Sequence, residues 1–250
     1  NTPQGECDIP HMNELQRKAI NLIACGKPKI PVVIIGPPGT GKTSTVVECI
    51  RQILARDPNA RILACTPSNE SADLICSRLH ASCPTLRDIQ HMIRLNSFQR
   101  NPKTITDDNV HEYCYQSVTN SSYYIPEKEV LTRARVIVST LVSSGYIFAM
   151  GVQDHFTHVF IDECGQCIEP EGLIPLHSAK EDAIVAFAGD PNQLGPIIRS
   201  PVAIEYGLEV SLLERFVKES IRSEQAHGYP CCHHIMLEDS YRAHPAITNL

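Results

Sequence analysis

Apolar positions along the chain follow two patterns: short continuous runs, and longer stretches in which apolar residues recur at helical spacing. Continuous runs bounded by polar turns are typical of strands that are buried on both faces of a parallel sheet. Recurrence at helical spacing predicts helices that bury one side. The apolar runs occupy residues 30–35, 61–66, 92–96, 134–140, 158–161 and 183–188. Because helical stretches alternate with these runs, the sequence predicts an α/β fold, with a mostly parallel sheet and helices on both faces.

The composition is that of an ordinary soluble globular protein. The 250 residues are 42% hydrophobic and 20% charged, which suffices for a full core. Eleven cysteines, an odd number spread over apparent helices and strands, indicate a reducing compartment rather than a disulfide framework. No stretch predicts a secretory signal or membrane insertion, and an initial Asn suggests a piece of a longer protein. The net charge of −6 argues against a basic surface for duplex DNA, but a groove for a single strand is compatible with it.

The first apolar run leads directly into Gly36-x-x-x-x-Gly41-Lys42-Thr43, the phosphate-binding loop pattern. Glycines allow backbone N–H groups to converge on an anion, and the following helix directs its positive end at the same phosphates. Lys42 would reach the outer phosphates, and the Thr43 hydroxyl would complete the shell of a Mg²⁺ ion. The order strand, loop, helix favours a nucleoside triphosphate site over a simple turn. Its residues are Gly36, Pro37, Pro38, Gly39, Thr40, Gly41, Lys42, Thr43 and Ser44.

Two later runs end in polar groups that suit the same site. Residues 158–161 deliver Asp162 and Glu163 at the carboxyl end of a strand, where ligands gather in open α/β sheets. Asp162 would hold Mg²⁺, and Glu163 would orient or deprotonate the attacking water. Residues 183–188 lead into Gly189-Asp-Pro-Asn-Gln193, which is compatible with turn chemistry alone. Gln193 could instead report the state of the γ-phosphate.

Several polar residues have two interpretations that the sequence leaves open. Gln16 forms a capping box with Asn13 or contacts adenine. Ser68 and Asn69 cap a helix or contact the phosphates of a bound strand. The tyrosine-containing residues 97–130 are a mobile surface insertion, which we favour, or a set of stacking platforms for bases.

These motifs, in this order, resemble those of the superfamily 1 helicases and cover nearly the whole chain. The matching segments are Gln16, the phosphate loop, Thr66-Pro-Ser-Asn69 with Asp73, Ser139-Thr140, Asp162-Glu-Cys-Gly-Gln166, Gly189-Asp-Pro-Asn-Gln193 and Tyr241-Arg242-x-His244-Pro245. Residues 155–163, 169–175 and 206–215 resemble the Armitage-type RNA helicases, a branch related to the nonsense-mediated-decay helicase. Cys164 departs from the family, in which alanine is common, and the small site should tolerate it.

The resemblance implies a RecA-like P-loop NTPase lobe that binds ATP and Mg²⁺ against a second RecA lobe. Hydrolysis would involve Lys42, Thr43, Asp162, Glu163, Gln193 and Arg242, with Mg²⁺ on Thr43 and Asp162. Gln16 and Tyr241 would contact adenine, and RNA-backbone contacts would come from Pro67, Ser68, Asn69, Ser139 and Thr140. Lobe 1 would span residues 12–225, with a surface insertion at about 97–130, and lobe 2 would start within 226–250.

The function implied by the resemblance is that of an ATP-dependent RNA helicase or ribonucleoprotein remodeller that moves 5′-to-3′ on single-stranded RNA. Its expected setting is small-RNA silencing with Piwi/Argonaute-type proteins, in the cytoplasm or its ribonucleoprotein granules. The alternatives are an ATP-gated RNA clamp that does not unwind, a DNA helicase, and a ring-forming chaperone-like ATPase. The last class shares the phosphate loop but usually lacks Gly-Asp-x-x-Gln.

Overall fold

The computed structural model describes residues 7, 9–119 and 122–241, which divide into two compact units. Unit 1 takes the described residues of 1–53, 162–169 and 184–250, and unit 2 takes those of 54–161 and 170–183. The helices and strands are α1 (Glu14–Ala24), β1 (Val32–Ile35), α2 (Lys42–Arg56), β2 (Ile62–Thr66), α3 (Asn69–Ser82), β3 (Met92–Leu95), α4 (Asp108–His111), α5 (Lys128–Arg133), β4 (Val136–Thr140), α6 (Leu141–Ala149), β5 (Phe156–Ile161), α7 (Glu169–Leu173), β6 (Ala179–Gly189), α8 (Pro201–Glu205), α9 (Leu212–His227) and β7 (His233–Met236).

Unit 1 is built on β1, which pairs in parallel with β6 on one side and β7 on the other. All four residues of β1 are buried, because both faces of this strand are covered. That burial explains why the sequence shows a continuous apolar run rather than an alternation. Ile35 of β1 lies level with Gly189 of β6 and with Met236 of β7. The segments that follow these three strands therefore begin at the same edge of unit 1.

Unit 2 contains four parallel strands in the order β3-β4-β2-β5. The register places Thr66 level with Thr140, and Leu95 level with Ser139. The turns after β2, β3 and β4 therefore begin side by side at the carboxyl edge of these strands. Every residue of β2 and β3 is buried, again in agreement with continuous apolar runs.

The predicted α/β class with a parallel sheet is confirmed by these pairings. Strand β6 is longer than its apolar run, because it starts at Ala179 and its first residues, Lys180, Glu181 and Asp182, are exposed and polar. Among the described residues, no helix is both long and apolar enough to cross a membrane.

The described residues after 225 continue unit 1. Residues 226–250 are predicted to start a second lobe, and within their described part His233–Met236 forms β7 beside β1. The backbone N–H of Tyr241 also donates to the carbonyl of Gly39 in the phosphate loop. The described residues 226–241 fall in unit 1 with the nucleotide-site strands, and β7 pairs with β1 although two of its four residues are histidines. A second lobe after them stays a prediction.

Residues 97–130, predicted as a surface insertion, include several side chains that are packed into unit 2. Val110, Tyr113 and Tyr123 are buried, and Gln116 forms an antiparallel bridge with Tyr123. The Tyr113 hydroxyl lies 2.7 Å from Nδ1 of His80 on α3. The sequence does not predict this packing, because these apolar side chains follow no regular period. Tyr113 and Tyr123 fill the interior of unit 2 and are not stacking platforms.

Candidate functional site

The phosphate loop follows β1 in unit 1 and depends on its glycines. Gly39 and Gly41 have φ values of 86° and 85°, which favour glycine. A Cβ atom on Gly41 would lie 2.6 Å from Nε2 of Gln16, and one on Gly36 would lie 2.9 Å from the carbonyl oxygen of Leu237. The loop therefore has the tight backbone path that lets N–H groups converge on an anion.

Lys42, the first residue of α2, directs its ammonium group into this loop. Its side chain is almost fully buried, and Nζ donates to the carbonyl oxygens of Gly36 at 2.7 Å and Pro37 at 3.2 Å. The cation thus lies at the N-terminal end of a helix and among the loop's own dipoles. This is the position from which a lysine binds phosphate oxygens.

Thr43 and Asp162 bring two oxygen ligands together. The Thr43 hydroxyl donates to Oδ2 of Asp162 at 2.6 Å, while Oδ1 accepts the backbone N–H of Glu163 at 2.9 Å. Burial raises the pKa of Asp162 to about 6, and the hydrogen bond from Thr43 opposes that rise. A hydroxyl beside a buried carboxylate suits Mg²⁺, which prefers oxygen ligands and would stabilise the charged form. The residues present fit the predicted ion.

Glu163 follows directly and has an unusual backbone. Its φ of 56° places a non-glycine residue in the left-handed region, and its side chain is half-buried. Such conformations persist where the surroundings impose them, and they cluster at functional sites. The turn it makes ends β5 abruptly and begins the short helical turn of Cys164–Gln166.

Gly165 and Gly189 place the residues after Glu163 directly against the turn that carries Gln193. A Cβ on Gly165 would lie 2.5 Å from the carbonyl oxygen of Asp190, and one on Gly189 would lie 2.9 Å from the backbone nitrogen of Gly165. Gln193 donates through Nε2 to Oδ2 of Asp190 at 3.2 Å. The turn chemistry is therefore present, and the amide of Gln193 is held at the same part of unit 1. Its role as a γ-phosphate sensor stays a prediction.

Gln16 and Tyr241 both contact the phosphate loop. The capping box is present: Gln16 Oε1 accepts the backbone N–H of Asn13, and Asn13 Oδ1 accepts that of Gln16. The remaining amide group of Gln16 donates to the carbonyl of Thr40 at 3.2 Å. Asn13 Nδ2 donates to the Tyr241 hydroxyl at 2.9 Å, and the ring of Tyr241 stays exposed. Contact of either residue with adenine stays a prediction, and Arg242 lies outside the described residues.

The predicted RNA-contact residues lie in unit 2, around the carboxyl ends of β2 and β4. Ser68 caps α3 by accepting the N–H of Ser71 at 3.1 Å, and Thr140 caps α6 in the same way through Ser143. The Ser139 hydroxyl is buried and donates to the carbonyl of Thr140. Pro67 lies in the turn between β2 and α3, next to Ser68. The helix-capping interpretation is thus confirmed for Ser68, while contact with RNA stays a prediction for this group.

Sequence reasoning missed a buried charge cluster beside Asn69. Arg94 on β3 is fully buried and donates to Oδ1 of Asp73 at 2.8 Å and to Oδ1 of Asn69 at 3.1 Å. Arg100 also binds Asp73, at 2.9 Å from Oδ1. An arginine inside an otherwise apolar strand was the available signal, because a buried charge requires partners.

Comparison with known proteins gives consistent matches. A family model described as an AAA domain matches residues 11–127 and 109–201. The chain is 40% identical to the human protein named RNA helicase Mov10l1, over 96% of this chain and 20% of that protein. It is 36% identical to the chicken protein named putative helicase MOV-10, over 94% of this chain and 25% of that protein. It is 34% identical to the Drosophila melanogaster protein named probable RNA helicase armi, over 96% of this chain and 22% of that protein.

The chain spans about a fifth to a quarter of the length of these curated relatives. Among solved structures, a DEAD box protein from Methanococcus jannaschii aligns with a TM-score of 0.51 and 12% identity, over 89% of this chain and 49% of that one. The Hef helicase domain of Pyrococcus furiosus aligns with a TM-score of 0.51 and 12% identity, over 94% of this chain and 40% of that one. These two likenesses concern the fold alone.

Proposed function

We propose that this chain is part of an ATP-dependent RNA helicase. The chain belongs to the AAA domain family and to the Armitage-type branch of the superfamily 1 RNA helicases. The chain forms the first RecA-like lobe of an enzyme that couples ATP hydrolysis to the binding and displacement of single-stranded RNA. The observation that carries this proposal is the hydrogen bond from the Thr43 hydroxyl to the buried carboxylate of Asp162, next to the phosphate loop that contains Lys42. A purely structural turn needs neither a buried lysine nor a buried acid.

The residues of unit 1 divide the work of hydrolysis. The loop N–H groups and Lys42 bind the phosphates of ATP. Thr43 and Asp162 would hold Mg²⁺, which when bound would neutralise part of the phosphate charge. Glu163 accepts the proton of the attacking water, and Gln193 responds to the γ-phosphate. Gln16 and Tyr241 contact adenine, and Arg242 supplies positive charge for the transition state.

The residues of unit 2 bind the RNA backbone. Ser68, Asn69 and Thr140 present polar groups at the carboxyl edge of the strands, with Pro67 and Ser139 in the same two segments. Hydroxyl, amide and backbone groups of this kind position a strand without reading its sequence. We extend the proposal to 5′-to-3′ movement, a second RecA lobe, Piwi/Argonaute-type partners in small-RNA silencing, and a location in the cytoplasm and its ribonucleoprotein granules. This extension is supported by the resemblance of residues 155–163, 169–175 and 206–215 to the Armitage-type enzymes.

The test is the ATPase rate of the intact protein with single-stranded RNA, with single-stranded DNA of the same sequence, and without polymer. Stimulation by RNA above DNA supports the proposal, and equal stimulation favours a DNA-competent enzyme. An ATPase rate that neither RNA nor DNA changes contradicts the proposed function and favours a ring-forming ATPase. Displacement of a labelled strand from an RNA duplex then separates a helicase from an ATP-gated clamp.

A further inference from the structure

Phe98 is an exposed aromatic residue in the turn that follows β3. The backbone N–H of Arg100 donates to the carbonyl of Ser97 at 3.0 Å, which closes the turn and leaves Phe98 at its tip. Phe98 is 55% exposed, although burying a side chain of this size is normally favourable. Phe98 therefore offers an aromatic ring at the tip of a closed turn, where a ligand can reach it.

This turn lies at the same edge of unit 2 as the predicted RNA-backbone contacts. Leu95, the last residue of β3, is level with Ser139, and Thr66 is level with Thr140. The three segments that follow these strands thus start next to one another. Phe98 belongs to the segment after β3, Ser68 to the one after β2, and α6 to the one after β4.

The turn is fixed on both sides by the charge cluster beneath it. Before Phe98, Asn96 is buried and donates through Nδ2 to the carbonyl of Arg94 at 3.2 Å. After it, Arg100 binds both carboxylate oxygens of Asp73 on α3 and also the side-chain oxygen of Asn96 at 2.7 Å. The backbone of the turn that carries Phe98 is therefore held on both sides, which lowers the conformational entropy that a ligand stacking on the ring would have to remove.

A second ring supports Phe98 from α6. The centroid of Tyr146 lies 6.3 Å from that of Phe98, and the two planes are tilted by 52°. Tyr146 is half-buried, so it contacts Phe98 from the protein side and leaves more than half of Phe98 accessible. This tilted contact stabilises the Phe98 ring without covering its exposed part.

The charges next to the turn favour a nucleic acid as the occupant. Arg94 and Arg100 share the single carboxylate of Asp73, so the guanidinium groups of the cluster outnumber its acid. Lys103, at the end of the same segment, is exposed. Both guanidinium groups are buried, with side-chain exposures of 0% and 5%, so Lys103 is the cation of this segment that a phosphate can reach, and the exposed Phe98 ring suits a planar base.

We infer that Phe98, supported by Tyr146, is a stacking platform for one base of the single strand whose backbone contacts the segments after β2 and β4. Aromatic stacking accepts every base, so the platform adds affinity without sequence preference. This inference rests on the proposed function, because it needs a nucleic-acid strand at this edge. It assigns base contact to the turn after β3 rather than to the tyrosines of residues 97–130.

The experiment compares the intact protein with its Phe98→Ala and Phe98→Trp variants. The probe is a labelled oligo(U), and binding is followed by fluorescence anisotropy in the presence of a non-hydrolysable ATP analogue. Phe148→Ala is the matched control, because Phe148 lies on α6, is 42% exposed and pairs with His177 rather than with Phe98. A ribose-phosphate oligomer of the same length without bases is the second probe.

We expect Phe98→Ala to weaken oligo(U) binding by about 5- to 100-fold, the range for loss of one stacked base. Phe98→Trp should retain the affinity, and Phe148→Ala should match the unchanged protein. On the oligomer without bases, Phe98→Ala and the unchanged protein should bind equally.

Two results overturn the inference and leave the proposed function intact. In one, Phe98→Ala binds oligo(U) as well as the unchanged protein does. In the other, it loses the same factor on the oligomer without bases, which would indicate disturbed folding or a backbone effect. If the unchanged protein binds no RNA, the proposed function fails first. Loss of a protein partner in Phe98→Ala with unchanged RNA affinity also contradicts a stacking role.

Discussion

The Thr43 hydroxyl donates a hydrogen bond of 2.6 Å to Asp162, although the two residues are 119 positions apart in the chain. Thr43 is the second residue of α2, in the first turn after the phosphate loop, and Asp162 follows β5. Neither residue alone indicates catalysis, since threonines often begin helices and acids often end strands. Their contact brings two potential oxygen ligands together, and one of these, the Asp162 carboxylate, is fully buried. This relationship leads to the first test of the nucleotide site.

We expect Asp162→Asn to weaken Mg²⁺-dependent ATP binding by more than about tenfold, since even residues that only orient a metal ligand change affinity by roughly 10- to 100-fold. The amide keeps the size of the side chain but removes the charge. Titration with a fluorescent ATP analogue, once with Mg²⁺ and once with EDTA, measures the effect. In EDTA the variant should bind as the unchanged protein does. An equal loss under both conditions would show that Asp162 acts on the fold rather than on the ion.

Glu163→Gln should retain ATP and RNA binding and lower turnover by roughly 10² to 10⁴. The amide fills the same space but cannot accept a proton from water. Steady-state ATPase with saturating RNA gives the turnover, and anisotropy with labelled RNA gives the binding. Unchanged turnover in this variant would remove Glu163 from its assigned role.

The backbone of Glu163 provides an independent control. At φ 56° a glycine is relieved of strain of about 1 kcal/mol, so we expect Glu163→Gly to be at least as stable as Glu163→Gln while equally inactive. Chemical denaturation measures both stabilities. A markedly less stable glycine variant would mean that the Glu163 side chain, and not the chemistry of its carboxylate, maintains the local structure.

The sequence predicts the strands and the motif-bearing turns because each has a strong local signal. The run before Gly36 is buried on both faces, and so is the run before Asp162, so continuous hydrophobicity is enough to place them. Ligands gather at the carboxyl ends of parallel strands, which is why the sequence predicts that the phosphate loop with Thr43 and the acid Asp162 serve one nucleotide site.

Long-range polar contacts could not be predicted in the same way. The hydrogen bond from Asn13 to Tyr241 joins residues 228 positions apart, and the sharing of Asp73 by Arg94 and Arg100 depends on the packing of three segments. No local pattern encodes either. Strand β7 could not be predicted for a similar reason. Two of its four residues are histidines, and it forms a strand because it pairs with β1 rather than because of its own propensity.

Gly165→Ala should destabilise unit 1 by about 1 to 3 kcal/mol, the usual cost of extra atoms in a packed region. The new methyl group would lie 2.5 Å from the carbonyl oxygen of Asp190, which is backbone and cannot move aside easily. Gly195→Ala is the matched control, because its methyl group would have its nearest contact at 3.7 Å. Urea denaturation measures both variants.

We expect Gly195→Ala to stay within about 0.5 kcal/mol of the unchanged protein. Equal stabilities for the two variants would show that the close approach of the Gly165 turn to Asp190 is not a constraint. Lower ATPase in a Gly165→Ala protein of normal stability would instead indicate that this approach transmits the nucleotide state.

Stability should depend on pH through His158, a buried residue of β5. Burial lowers its pKa from 6.5 to about 4, and Asp57 opposes this shift only weakly. Between these two pH values the unfolded chain binds a proton that the folded chain does not, so the free energy of unfolding rises with pH across this window. The contribution is complete above pH 6.5 and is lost as pH falls towards 4.

We expect His158→Asn to remove up to about 3 kcal/mol of this dependence, since one pKa unit corresponds to about 1.4 kcal/mol. Asparagine can still bond to the Thr157 hydroxyl, which lies 2.8 Å from Nδ1 of His158, and it does not titrate. Urea denaturation of both proteins at several pH values between 4.5 and 7.5 measures the difference between their profiles. His155, whose pKa burial also lowers to about 4, is retained in the variant, so some slope should remain. Parallel profiles for the two proteins would exclude His158 as the source.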